Sequence, residues 1–126
     1  TMLIVDDQRL VSDALRMILM FDGYEVQSAE NGREALTIFE VGKFDLVFTD
    51  FEMPEMNGHE LASIIKALDP LQPIIMVTAY ADMVVNMTPA LQVDLVMGKP
   101  WSIDELRAAI CKVLPPERPS AGLDMK

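Results

Sequence analysis

The sequence predicts a single α/β domain whose parallel sheet is covered by helices on both faces. Two observations predict it. Short runs that are apolar at consecutive positions recur along the chain, and segments of helical period lie between them. Strands without polar alternation need cover on both sides, and helical crossovers between parallel strands supply it.

Met2-Leu3-Ile4-Val5 is the first apolar run. Val11, Ala14, Leu15, Ile18 and Leu19 follow at the spacing of one helix face. Tyr24-Glu25-Val26-Gln27 alternates more and reads as an edge strand. Past the Asn31-Gly32 turn, Ala35, Leu36 and Phe39 mark a second helix, and Leu46-Val47-Phe48 is the third strand. Leu61, Ile64, Ile65 and Leu68 form the stripe of a third helix. Ile74-Ile75-Met76-Val77, opened by Pro73, is the fourth strand, and Leu95-Val96-Met97 the fifth. Ser102 and Glu105 have the spacing of a capping box ahead of Leu106, Ile110 and Val113, and Pro115-Pro116 stop that last helix.

The crossover between Tyr80 and Asp94 departs from the pattern. Pro89 breaks a regular helix, or opens a short one with Thr88 as its N-cap. The fourth helix is therefore expected to be short or irregular. Residues 1–114 are expected to form the domain. Residues 115–126, with Pro119, Ser120 and Gly122, read as a mobile C-terminal tail or the stump of a linker.

A chain of 126 residues, 51% of them hydrophobic, suits one folded domain. Its net charge of -10 argues against direct contact with nucleic acid or an anionic membrane, and suits carboxylates gathered around a cation. Cys111 is the only cysteine, which excludes an intramolecular disulfide and fits a reducing cytoplasm. No apolar run approaches the ~18 residues of a membrane span. Met2 to Val5 is too short for the apolar part of a signal peptide. Thr1 sits directly against the first strand, so a start further upstream is expected.

In a doubly wound sheet, ligands bind outside the carboxyl ends of the strands. Here those ends carry Asp6-Asp7, Asp50, Thr78 and Lys99-Pro100. Three carboxylates repel one another unless a cation offsets them. Oxygen-only ligands suit Mg²⁺. One carboxylate is then a candidate nucleophile for a phosphoryl group, whose charge the metal, Lys99, the Thr78 hydroxyl and backbone N–H groups would stabilise.

The set Asp6-Asp7, Asp50 followed by Met53-Pro54 and Gly58, Thr78-Ala79 and Lys99-Pro100 closely resembles the receiver domains of response regulators. The resemblance covers nearly the whole chain, in the family's order and spacing. It implies a flavodoxin-like fold with strand order 2-1-3-4-5 and five helices. It implies that Asp50 is the phosphoacceptor and Asp7 a direct Mg²⁺ ligand. Asp6 would act mainly through a water, and the Glu52 carbonyl would be a third protein ligand. Thr78 and Lys99 would contact the phosphoryl oxygens, and the Lys99–Pro100 bond would be cis. The implied partner is a histidine kinase or histidine phosphotransfer protein, with a downstream protein target or a homodimer as output.

Two departures from the family stand out. Receivers usually carry an aromatic residue three places before the lysine, where this chain has Val96. A valine is stiff at χ1 and has no ring to swing inward. The usual Gly-Ala before the fifth strand is replaced by Gln92-Val93. Output is therefore expected to run through residues 80–91 more than through the fifth strand.

An aspartate-nucleophile phosphatase is the main alternative, although such enzymes carry Asp-x-Asp after the first strand. A flavin-binding module needs a phosphate loop where Asp6-Asp7-Gln8 stands. A receiver excised from a hybrid kinase or larger regulator reads the same as a stand-alone one. His59 is expected to be exposed at the start of the third helix and Cys111 to be partly covered. Trp101 is expected to pack at the base of the last helix, with Met83 and Met87 as candidates for a partner surface.

Overall fold

A computed structural model describes residues 1–85 and 92–114. The alternation read from the sequence becomes β1 (Met2–Val5), α1 (Arg9–Phe21), β2 (Val26–Ala29), α2 (Gly32–Ile38) and β3 (Leu46–Thr49). α3 (Gly58–Leu68), β4 (Ile74–Thr78), α4 (Ala81–Val85), β5 (Leu95–Gly98) and α5 (Ile103–Val113) follow. The strands form one parallel sheet in the order β2-β1-β3-β4-β5. This is the order the resemblance implied.

Every residue of β1, β3 and β4 is buried, because successive side chains point to opposite faces and both faces are covered. Met2, Ile4, Phe48, Ile75 and Val77 meet Leu15 and Leu19 of α1 and Leu106 and Ile110 of α5. Leu3, Val5, Val47 and Ile74 meet Ala35 of α2 and Leu61, Ala62 and Ile65 of α3. Each of the larger side chains among these contributes about 1.5–3 kcal/mol. β2 is a half-buried edge strand, as its alternation suggested.

Several local expectations shift. β2 starts two residues later than expected, because the Tyr24 N–H is taken by the Leu19 carbonyl at the end of α1. The α3 stripe is rotated: Ala62 is buried with Leu61 and Ile65, while Ile64 and Leu68 are exposed. The small Ala62 side chain lets that side of the helix lie against the sheet. In α1, Ala14 is exposed and Ser12 takes a buried place. Cys111 is exposed rather than partly covered. His59 is half-buried rather than exposed, with Nδ1 enclosed and unpartnered among the described residues. Trp101 packs against the α1–α5 core as expected.

The capping box at α5 forms, with Ser102 and Glu105 each accepting from the other's backbone N–H. α3 has the same device in Asn57 and Glu60. α4 is five residues long as described. The expected break at Pro89, the Thr88 cap, Met87 and the tail at 115–126 all lie outside the described residues.

Candidate functional site: an acidic cleft at the strand ends

Parallel strands bring their carboxyl ends to one edge, and the expected residues meet there. Asp6 and Asp7 leave β1, Asp50 leaves β3, Thr78 ends β4, and Lys99 follows β5. Carboxylate oxygens of Asp6, Asp7 and Asp50 all lie within 4.8 Å of one another. An open cleft of about 620 Å³ is lined by Asp7, Asp50, Glu52, Thr78, Tyr80 and Lys99, among others. Asp6 lies behind it, only 6% exposed.

Main-chain bonds fix the acids. The Asp50 N–H donates to the Val5 carbonyl and the Asp6 N–H to the Ala29 carbonyl. Gly58 N–H then returns to the Phe51 carbonyl at 2.8 Å, which folds the loop after Asp50 against the start of α3. A Cβ at Gly58 would stand 2.1 Å from the Asp50 carbonyl oxygen, so only glycine permits this approach. Within that loop, Glu55 adopts a φ of 70°, uncommon for a residue with a side chain.

Asp50 is 7% exposed, and its Oδ1 accepts from the Phe51 N–H at 2.8 Å. The Lys99 ammonium lies 3.5 Å from the same oxygen and 3.3 Å from Oδ2 of Asp6. Burial raises the Asp50 pKa above its ordinary 3.8; Lys99 opposes the rise, the Asp6 charge adds to it, and the Phe51 N–H opposes it. Asp6 Oδ1 is occupied by the Gln8 N–H. The Thr78 hydroxyl, on a residue 1% exposed, accepts from the Tyr80 N–H at 3.0 Å. The Lys99–Pro100 bond is cis, as the resemblance implied.

Three carboxylates beside one ammonium leave the ionised cluster two charges negative. Oxygen-only donors, close spacing and that excess fit a small divalent cation such as Mg²⁺. Asp7 is exposed and borders the cleft, and Glu52 lies on its rim. The backbone N–H groups of Phe51 and Gln8 join the site as donors to Asp50 and Asp6. Main-chain donors of this kind are set by the folded loop and not by residue type.

The chain matches the family described as "Response regulator receiver domain" over residues 2–111, and it belongs to that family. It is 35% identical over 114 residues to the sporulation initiation phosphotransferase F of Bacillus subtilis, covering 90% of this chain and 92% of that one. It is 34% identical to the response regulator MprA of Mycolicibacterium vanbaalenii, covering 95% of this chain but 52% of that protein. The chain thus spans about half the length of some curated relatives and nearly all of another. Among solved structures, it resembles the response regulator TrrA of Thermotoga maritima, in complex with Mg(2+)-BeF. That likeness has a TM-score of 0.81 and 36% identity, and covers 90% of this chain and 97% of that one. It also resembles the receiver domain of a signal transduction histidine kinase from Syntrophus aciditrophicus, with TM-score 0.80, 27% identity, and 99% and 92% covered.

The chain is a homologue of two-component phosphorelay regulators, and its fold and acidic cleft fit a phosphorylation-dependent switch. The phosphatase reading is not favoured. No helix among the described residues is long and apolar enough to cross a membrane.

Proposed function

We propose that Asp50 accepts a phosphoryl group from a histidine kinase or histidine phosphotransfer protein, in a Mg²⁺-dependent reaction. The observation that supports this best is the convergence of Asp6, Asp7 and Asp50 with Lys99 at the carboxyl edge of the sheet. Asp7, Asp50 and the Glu52 carbonyl would hold the metal, with Asp6 contributing through a water. Bound there, Mg²⁺ neutralises charge on the phosphoryl oxygens.

In the transfer, an Asp50 carboxylate oxygen forms a bond to phosphorus as the bond from phosphorus to the donor's leaving atom breaks. The Phe51 N–H and Lys99 both fall on Oδ1 and orient the carboxylate. Lys99 and the Thr78 hydroxyl then serve the new phosphoryl oxygens, a preorganised set of the kind that carries phosphoryl transfer. Residues 1–114 form the receiver unit, working in the cytoplasm, with 115–126 as tail or linker. Its output is a downstream protein or a second copy.

The test is incubation of the chain with acetyl phosphate. A single phosphoryl adduct in the intact mass, which does not form when Mg²⁺ is chelated before the donor is added, is the expected result. An absent adduct, or one that forms equally well without metal, overturns the reading.

Asp7→Ala should weaken Mg²⁺ binding by ~10-fold or more, since even outer partners of a metal typically contribute about 10–100-fold. Trp101, the single tryptophan, stands beside Lys99 and Pro100 and provides the fluorescence readout of the titration.

Tyr80 is 46% exposed at the mouth of the cleft. Its ring screens the acyl phosphate from attacking water. Tyr80→Ala should shorten the phosphoryl lifetime about tenfold, ~1.4 kcal/mol in barrier, as followed by phosphate release after donor removal. An unchanged lifetime excludes the screen.

A further inference from the structure

α1 is apolar on two opposite sides. Ser12, Leu15 and Leu19 face the core. At the turn of an α-helix, Leu10, Ala14, Met17 and Phe21 fall on the side directly opposite. Leu10 is 86%, Met17 71% and Phe21 84% exposed, with Ala14 exposed between them. Nothing in the domain's own core uses this stripe, and a contiguous exposed apolar patch marks a contact surface.

On one flank of the stripe lies an apolar recess of about 700 Å³, lined by Leu10, Val11, Ala14, Ile18, Pro100 and Trp101 among others. On the other flank stand Asp13 and Arg16, both exposed. Neither makes an ion pair among the described residues. The net charge of -10 makes two copies of this chain repel in general. α1 is the exception, since its sequence RLVSDALRMILMF carries two arginines against one aspartate.

We infer that the outer face of α1 is the contact between two copies of this chain, paired antiparallel about a two-fold axis. It gives a surface to the second copy proposed above as an output, and its role in output rests on that reading. A two-fold contact has to be self-complementary. With the axis between Leu15 and Arg16, Leu10 meets Phe21 of the second copy and Ala14 meets Met17. The small Ala14 side chain lets the two helices approach. Phe21 enters the recess beside Leu10 of the second copy. Asp13 stands within about 3 Å, measured along the helix axis, of Arg16 in the second copy. The long Arg16 side chain closes the remaining gap, and the symmetry makes two such pairs. A parallel pairing would set Asp13 against Asp13. A partner of one charge sign would leave either Asp13 or Arg16 unmatched, whereas a second copy matches both.

The experiment is sedimentation equilibrium of the whole chain up to ~1 mM, where an affinity of about 1 mM still shows. The wild type should move from the 14.1 kDa of one chain toward twice that mass. Met17→Glu sets two carboxylates beside the axis and should leave the single-chain mass at every concentration. Met17 is exposed, so the melting of the dilute variant should match that of the wild type. Asp13→Arg and Arg16→Asp should each weaken association about tenfold, as expected when two flanking ion pairs become repulsive. Asp13→Arg combined with Arg16→Asp should recover it. A wild type that stays at the mass of one chain overturns the inference and leaves the face to a different protein. A pair that survives Met17→Glu, or single reversals that the double variant does not rescue, also overturn it. None of these readouts uses phosphorylation. A single-chain mass in a protein that still takes the acetyl phosphate adduct therefore overturns this inference alone, and a dimer without the adduct overturns the phosphoacceptor reading alone.

Discussion

Asp50→Asn is expected to abolish the proposed phosphoryl adduct and at the same time to make the metal-free domain more stable at neutral pH. The first effect follows from removing the nucleophile, since an amide oxygen forms no acyl phosphate. The second follows from the raised Asp50 pKa. A carboxyl whose folded pKa lies above its unfolded value binds its proton more tightly in the folded state. That contribution is complete below pH 3.8 and is lost as pH rises through the folded pKa. Above it, the ionised Asp50 is a burden on the fold, caused mainly by desolvation and partly by Asp6. Asparagine carries no charge at any of these pH values. The melting temperature of Asp50→Asn should exceed that of the wild type at pH 7, and the gap should close toward pH 3.8. Mg²⁺ should raise the wild-type melting temperature more than the mutant's, because a ligand that binds the folded state stabilises it more the tighter it binds. Equal melting temperatures at both ends of the pH range exclude this account of Asp50.

Gly58→Ala is expected to be the most damaging glycine substitution at the site. Its Cβ would lie 2.1 Å from the Asp50 carbonyl oxygen and 3.0 Å from the Phe51 Cα, both backbone atoms at the end of a central strand. Neither can move without shifting the acceptor. The expected cost is about 2–3 kcal/mol, seen as a fall of ~10 °C in melting temperature, with slower phosphorylation of the folded fraction. Gly32→Ala is the control. Its Cβ would meet Met56 Sδ at 2.6 Å, the far part of a flexible side chain that can rotate away. It should cost much less than Gly58→Ala in a urea titration. Similar losses at the two positions would mean that helix-start effects, not the contact with Asp50, control Gly58.

The strand-end chemistry was legible in the sequence because its residues are rare in such places and follow unbroken apolar runs. Asp6, Asp7, Asp50, Thr78 and Lys99 all arrive at one edge for that reason. What was hidden depends on tertiary contact. Asn57-Gly58 reads as a turn, yet Gly58 is needed because two backbones touch, and Asn57 because α3 needs a cap. The Tyr24 N–H bond to Leu19 delays β2, and no periodicity signals it. The α3 stripe was misplaced by one turn face because Ala62, Ile64 and Leu68 all satisfy an apolar pattern, while shape selects Ala62.

β1 and β3 have no exposed residue along their length, and both are bonded on either side within the sheet. Amides in such strands exchange with solvent only when the whole domain opens, whereas loops exchange through local fluctuations. Asp6, Asp7 and Asp50 are thus attached to the slowest-exchanging part of the molecule. The Phe51–Gly58 connection follows β3, and the Thr78–Tyr80 turn follows β4. A phosphoryl charge on Asp50, as proposed, would meet acids anchored in the sheet on one side and connecting loops on the other. Deuterium uptake on phosphorylation should therefore change first in those two loops, over seconds to minutes, while β1 and β3 keep the exchange times of global unfolding.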